Sequence, residues 1–212
     1  AAAEVDAKPQ ALINARLAVE NVVKAECAEA KVSDGLFTGS FRVEWPVDPD
    51  RPVTLLMLTD SRRKIVEGRG DILMVEHAIE SIVKHSTFRN YRIVVLDNGR
   101  MPDDVAKSLQ NQGVIVETYS FTPPFNFPQK MNFAFDLVQT EDVIILNDDI
   151  EVVSPDWIEA LLSHSRRPQI GAVGARLLYT NDRIQHAGIV MGVNGPTTHI
   201  FHNQAKDDIG YC

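Results

Sequence analysis

Short apolar runs alternate along this chain with segments that have the periodicity of amphipathic helices. The first run, PVTLLMLT at 52–59, is bounded by Pro and Asp, as is typical of a strand buried on both faces. Further strands are predicted at 91–99, 113–120 and 142–147, and helices at 71–86, 102–111, 129–139 and 154–165. Such alternation with short connections requires parallel strands covered by helices. The pattern therefore predicts a doubly wound α/β sheet.

The N-terminal region is expected to lie outside this sheet. Apolar residues recur at helical spacing over 10–28, which predicts an amphipathic helix. Residues 33–52 are rich in Gly, Pro and Asp and predict a linker with one short strand in FRVEW. A boundary near residue 50 gives an N-terminal helix and linker at 1–50 and an α/β domain at 51–212.

Two more strands are predicted towards the C-terminus, at 170–179 and 188–193. The helix at 154–165 has its own start signal. Ser154 is predicted as its N-cap and Pro155 as its first helical residue, because Ser caps orphan N–H groups and Pro tolerates the first turn.

Charge and cysteine content narrow the functional class. The net charge is -8, from 29 acidic and 21 basic residues, so the basic excess typical of a nucleic-acid-binding protein is missing. Two cysteines, Cys27 and Cys212, form neither a disulfide framework nor a paired metal motif, which favours a reducing, cytosolic setting. No apolar stretch approaches the ~18 residues of a membrane span.

Acidic residues follow three of the predicted strands. The strand ends are Thr59-Asp60, Asp97-Asn98-Gly99 and Asn147-Asp148-Asp149. Ligands of open α/β sheets bind beyond the carboxyl ends of the strands, so these side chains are expected to converge. Close carboxylates repel unless a cation or hydrogen-bond donors lie among them. Oxygen ligands of this kind suit Mg²⁺ or Mn²⁺, although each acid taken singly also suits an ordinary turn.

The order of these motifs resembles a known family. The stretches PVTLLMLTDSR, YRIVVLDNG, FNFPQKMNFAF, VIILNDDIEVVSPDWIEALL, GAVGARLLY and RIQHAGIVMG are similar to those of inverting family 2 glycosyltransferases with the GT-A fold. The likeness is to the bacterial rhamnosyltransferase-like branch that builds cell-surface polysaccharides, and it covers roughly residues 39–202. The resemblance implies a Rossmann-like, mainly parallel sheet that binds a nucleotide-diphosphate sugar.

The resemblance also implies roles for individual residues. Asp149, in the DxD-type motif, is expected to bind Mn²⁺ or Mg²⁺ bridging the donor diphosphate, with Asp148 by the ribose or the metal shell. The other donor-nucleotide positions are Asp97 at the base, Thr59 and Asp60 in the pocket wall, and Lys130 and Asn132 in the segment that reaches the base or diphosphate. From the residues themselves, Lys130 equally suits a solvated helix surface.

The implied reaction moves a sugar from a dTDP- or UDP-linked donor to a saccharide or lipid-linked acceptor with inversion. A carboxylate base should take the acceptor proton. The family's base lies in a later acidic motif that this chain does not show, so the base is expected beyond Cys212 and the chain is expected to be truncated. A cytoplasmic location, with peripheral association at the inner face of the membrane, is expected.

Three other functions remain open from the sequence. A sugar nucleotidyltransferase would want a Gly-rich basic loop after the first strand, where TDSRRKIVEGRG has no Gly cluster beside the strand. A receiver-like signalling domain would place its acid pair after the first strand, whereas here it follows the fourth. A glycosyltransferase-derived fragment could bind a nucleotide sugar without turnover.

Overall fold

The computed structural model describes residues 9–66, 68–192 and 195–208. The elements of the first half are α1 (Pro9–Glu26), β1 (Lys31–Asp34), β2 (Phe41–Glu44), β3 (Val53–Thr59), β4 (Arg63–Val66), β5 (Gly70–Leu73), α2 (Met74–His85), β6 (Tyr91–Asp97) and α3 (Asp103–Asn111). Those of the second half are β7 (Ile115–Thr118), α4 (Phe127–Phe135), β8 (Asp142–Asn147), α5 (Trp157–Ser165), β9 (Leu177–Leu178), β10 (Ile184–His186), β11 (Ile189–Met191) and β12 (Thr197–His199).

The chain divides into two compact units, Asp48–Glu159 and a second made of Ala1–Val47 together with Ala160–Cys212. The first break lies near the expected boundary at residue 50. The grouping differs from domains of 1–50 and 51–212, because the residues after Glu159 group with the N-terminal segment.

The larger sheet lies within Asp48–Glu159 and has four parallel strands in the order β7-β6-β3-β8. Helices connect these strands, as the alternation of patterns predicts. The chain builds outward from β3 to β6 and β7, and then returns to place β8 on the other side of β3. This is the Rossmann-like α/β arrangement that was expected, and its topological switch point lies between β3 and β8.

The core of this unit is built around β3. Val53 to Met57 are all buried, as the continuous apolar run predicts. One cluster joins Leu56 and Leu96 of the sheet to Tyr119 and to Ala134 of α4. On α2, the buried residues Val75, Ala78, Ile79 and Ile82 recur at helical spacing.

The strand predicted at 142–147 is present as β8, but the burial on both faces that its apolar run VIIL favours is not. The apolar residues of β8 are only partly buried, and Ile145 is 51% exposed. The physical reason is position: β8 is the edge strand of the four-stranded sheet and pairs only with β3 among the described residues. β8 is therefore held by its hydrogen-bonded ladder with the buried β3 and not by burial on both faces.

Four local predictions also need correction. The helix expected from residue 71 begins at Met74, because 70–73 pairs with 63–66 in the antiparallel β4–β5 hairpin. The helix expected from 154 begins at Trp157, after a turn in which the Ser154 carbonyl accepts the Trp157 N–H. Only Leu177–Leu178 of 170–179 is a strand. The expected linker contains β1, which pairs with β2.

The second unit has its own small core. Val23 of α1, Ala30 and Val32 are buried together, with Trp45 packed beside them. The Arg167 guanidinium lies 4.0 Å from the Trp45 ring centroid and donates to Glu26 at 2.7 Å. Across the residues that the structure describes, none of the helices combines the length and the apolarity that crossing a membrane would take.

Replacing Leu56 with Ala should test the core of the sheet. Leu56 has no exposed surface, so truncation should lower the free energy of unfolding by about 2–5 kcal/mol. Chemical denaturation measures this change. Ile145→Ala on the half-exposed edge strand is the control and should cost far less. Equal losses for the two variants would contradict the assignment of β3 as the buried centre.

Candidate active site

The register of the parallel sheet brings the strand-end residues into one row. Thr59 on β3 is paired with Asp97 on β6, and Leu58 is paired with Asn147 on β8. Asp148 follows Asn147 and so comes next to Thr59. Because neighbouring strands lie about 4.8 Å apart, polar side chains from three strands meet at the carboxyl edge, beside the topological switch point.

The acids predicted to converge at the strand ends do so in the buried part of this edge. Thr59, Asp97 and Asp148 are all buried at this edge. The Thr59 hydroxyl donates to Asp148 Oδ2 at 2.6 Å and accepts the Ser61 N–H at 2.8 Å. The threonine therefore connects the end of β3 to the acid after β8.

Lys130 lies at the centre of this group. Its side chain comes from α4, only 2% of the residue is exposed, and Nζ donates to the Thr59 carbonyl at 2.8 Å and to Asn98 Oδ1 at 2.7 Å. Asn126 fixes the start of the helix, because its side chain accepts the Gln129 N–H. The alternative of a solvated Lys130 on the helix surface is therefore wrong.

Two opposing effects act on the pKa of Lys130. Burial is the larger and lowers the pKa from the ordinary value of 10.5, while the negative charges of Asp97, Asp60 and Asp148 act to raise it. The ammonium form is thus costly to bury, and the surrounding acids offset part of that cost. The repulsion expected among the acids is likewise offset by the Lys130 cation and by hydrogen-bond donors that lie between them.

Asp97 is held by a tight turn after β6. Its Oδ2 accepts the backbone N–H groups of Arg100 and Met101 at 2.6 and 3.0 Å, and its Oδ1 accepts the Ser61 hydroxyl at 2.6 Å. Gly99 makes this turn with a φ of 77°. A carboxylate has about four lone-pair sites, so three of those at Asp97 are used internally.

Asp60 is fixed by two donors at the rim. Asn98 Nδ2 donates to one carboxylate oxygen at 2.9 Å, and Arg100 Nη1 donates to the other at 2.7 Å. Asn98 therefore bridges Lys130 to Asp60 through the two ends of its amide. Arg100 is largely exposed, so its pairing with Asp60 is open to competition from an anion in solution.

Asp149 differs from the other acids because it is exposed. It occupies the turn directly after Asp148, and among the described residues its carboxylate has no hydrogen bond or ion pair. The described residues also contain no group of three or more His, Cys, Asp or Glu side chains that could hold a metal ion by themselves. A metal at this turn would have to complete its shell with water or ligand oxygens.

Asn132 is the one predicted site residue that lies apart from this group. It is exposed on α4, two positions beyond Lys130. Two residues correspond to about 200° around a helix, so its side chain leaves the opposite side of α4. Cys212, beyond which the base was expected, lies outside the described residues.

Two residues of the site, Ser61 and Arg100, were missed by sequence reasoning, and Asn98 was named only as part of a strand end, with no role of its own. Ser61 adopts a φ of 49°, a left-handed conformation that is unfavourable for a residue with a side chain. Its two hydrogen bonds, to Thr59 and Asp97, stabilise this geometry. The only signal in the sequence was proximity to a strand end, since neither a backbone angle nor a cross-strand bridge is visible there.

Comparison with known families supports this fold. The model of the family described as glycosyl transferase family 2 matches residues 72–205, more than half of the chain. The match includes Asp97, Lys130, Asn132, Asp148 and Asp149 and begins after Thr59 and Asp60.

Two curated proteins are similar over only part of their length. The uncharacterized protein y4gI of Sinorhizobium fredii (strain NBRC 101917 / NGR234) is 30% identical over 203 residues, which cover 94% of this chain and 21% of that protein. The O-antigen biosynthesis protein RfbC of Myxococcus xanthus is 29% identical over 162 residues, which cover 76% of this chain and 12% of that protein.

Among solved structures, a CMP:2-keto-3-deoxy-manno-octonic acid synthetase complexed with CTP aligns with 64% of this chain and 63% of its own, at 15% identity and a TM-score of 0.41. That likeness is too low to bear on function. The family match, by contrast, includes β6 and the turn after it, α4, and β8 and the turn after it. The chain belongs to glycosyl transferase family 2.

Proposed function

We propose that this domain binds a nucleotide-diphosphate sugar at the carboxyl edge of the sheet and transfers its sugar to a saccharide or lipid-linked acceptor. The observation that carries the proposal is the buried Lys130 ammonium surrounded by Asp60, Asp97 and Asp148 at the switch point. A preorganised polar edge of this kind suits a ligand with both hydrogen-bonding and anionic parts.

The proposed roles follow from the hydrogen-bonding capacity that is left. Asp97 retains about one lone-pair site, which suits acceptance of one N–H from a nucleobase. Lys130 uses two of its three N–H groups on Thr59 and Asn98, and the third is available for a ligand oxygen. Thr59 and Asp60 form the wall between these groups. Asn132 would require a ligand that extends around α4.

The oxygen ligands at the turn after β8 fit Mg²⁺ or Mn²⁺. Asp149 is exposed and unpaired among the described residues, and Asp148 has one oxygen engaged by Thr59. Mg²⁺ typically takes only one or two carboxylates and shares the rest of its shell with water and phosphate oxygens. When bound, the ion would supply positive charge that stabilises the departing nucleotide diphosphate.

The finer specificity is proposed from the motifs. The sequence resembles the rhamnosyltransferase-like branch, so the donor is proposed to be dTDP- or UDP-linked and the transfer to invert the anomeric carbon. The similarity to a protein named for O-antigen biosynthesis supports a cell-surface polysaccharide as the product. The acceptor hydroxyl then needs a carboxylate base, and none of the described acids is assigned that role.

Binding of UDP and dTDP tests the donor site. Titration calorimetry with and without Mn²⁺ should give tighter binding of at least one nucleotide when Mn²⁺ is present. Asp149→Asn removes the exposed carboxylate. In this variant the increase in nucleotide affinity that Mn²⁺ causes should be smaller by about tenfold or more, equivalent to ~1.4 kcal/mol of binding free energy. Asp207→Asn, at an exposed position in the other unit, is the matched control. A wild-type affinity in Asp149→Asn would overturn its assignment to the metal.

Replacing Lys130 with Met should weaken both stability and nucleotide binding. The change leaves the Thr59 carbonyl and the Asn98 amide oxygen without their donor, so the free energy of unfolding measured in urea should fall by roughly 1–3 kcal/mol.

Because burial lowers the pKa of Lys130, the unfolded chain holds this proton more tightly. Wild-type stability should therefore rise as pH increases from the folded towards the unfolded pKa.

Lys130→Met should lack that rise. Lys107→Met, at an exposed position on α3, is the matched control and should keep it. If Lys130→Met bound UDP and unfolded as the wild type does, Lys130 would have no role at the site.

A further inference from the structure

The turn that carries Asp149 is anchored on both sides. Before it, Asp148 accepts the Thr59 hydroxyl. After it, Glu151 Oε1 accepts Arg69 Nη2 at 2.9 Å, and the Val152 N–H donates to Ser81 Oγ of α2 at 2.9 Å. The exposed Asp149 thus lies between residues that are held by hydrogen bonds on either side. One of the donors, Arg69, belongs to an element to which the family resemblance gave no role.

That element is the β4–β5 hairpin, and its own contacts hold it in place. The Arg69 N–H donates to the Val66 carbonyl to close the turn, and the Met74 N–H donates to the Arg62 carbonyl where the hairpin meets α2. Arg63 Nε also donates to Asp71 Oδ2 at 2.8 Å across the two strands, but both side chains are about half exposed, so this pair adds little to the backbone contacts that hold the hairpin. Three residues separate the hairpin from β3, and its second strand leads directly into α2, so both of its ends are joined to elements of the unit Asp48–Glu159.

Arg69 forms a fork between two acceptors. One guanidinium nitrogen bonds Glu151, and the other lies 2.8 Å from His77 Nε2 on α2. Since arginine can only donate, His77 Nε2 is the acceptor in this contact. Two acceptors on different elements restrict the guanidinium far more than a single surface ion pair would.

We propose that the β4–β5 hairpin positions the Asp149 turn for the metal and diphosphate, and that Arg69 is the positioning residue, acting through Glu151. The proposal rests on the donor site proposed above. Arg69 and Glu151 side chains are about half exposed, at 46% and 50%, so their pair contributes little to global stability. Its effect should instead be concentrated at the turn that it holds.

Charge reversal tests the pair. Arg69→Glu and Glu151→Arg should each reduce the Mn²⁺-dependent part of UDP affinity by about tenfold, with metal-free UDP binding and the unfolding midpoint nearly unchanged. The double variant, which restores opposite charges, should recover most of the loss. Arg63→Gln breaks the Arg63–Asp71 ion pair between the two hairpin strands and should retain wild-type binding. Wild-type affinity in Arg69→Glu, or no recovery in the double variant, would overturn the proposal.

A second measurement separates this proposal from the donor site itself. Hydrogen exchange of peptides covering 148–153, in the absence of metal and nucleotide, should be faster in Arg69→Glu than in Arg63→Gln. If the wild type shows no Mn²⁺-dependent UDP binding, the proposed metal role fails, and exchange alone decides whether the hairpin holds the turn. Equal exchange in the two variants would contradict the positioning role.

Discussion

The buried Lys130 ammonium offsets the mutual repulsion of the acids at the carboxyl edge of the sheet. Asp60, Asp97 and Asp148 come from the ends of three different strands, and the charge of Lys130 acts on all of them. The hydrogen bonds of Lys130, however, go to neutral oxygens, the Thr59 carbonyl and the Asn98 amide. The acids themselves accept from hydroxyl, amide, guanidinium and backbone donors. The cation therefore offsets their charge without occupying their lone pairs.

This arrangement depends on a sheet whose register is fixed. A shift of one residue between β3 and β6 would separate Thr59 from Asp97 and turn the side chains of one strand to the opposite face. Such a shift is disfavoured because five consecutive residues of β3, Val53 to Met57, are buried, and moving them against their neighbours would break the packing of the core. The packing that stabilises the core thus also fixes the register that aligns the site residues. The exposed Asp149 turn lies outside this packing and needs additional contacts.

Much of the fold could be predicted from the sequence, because strand burial and helix periodicity are local properties. The parallel sheet, α3 and the strand-end acids follow directly from the pattern of residues. The β4–β5 hairpin could not be predicted, because the apolar residues before Met74 continue the helical pattern of α2. The exposure of β8 depends on strand order, and the burial of Lys130 depends on contacts with residues 71 and 32 positions away. Neither is visible in a local window.

The most direct test of this account is the titration of Lys130 itself. The domain would be labelled with ¹³C at lysine Cε, and the Lys130 signal, assigned by its absence in Lys130→Met, would be followed with pH by NMR. The account predicts a titration midpoint below the ordinary lysine value of 10.5, because burial outweighs the attraction of the three acids. A midpoint at or above 10.5 would show a solvated or fully compensated amine and would contradict the central role given to Lys130.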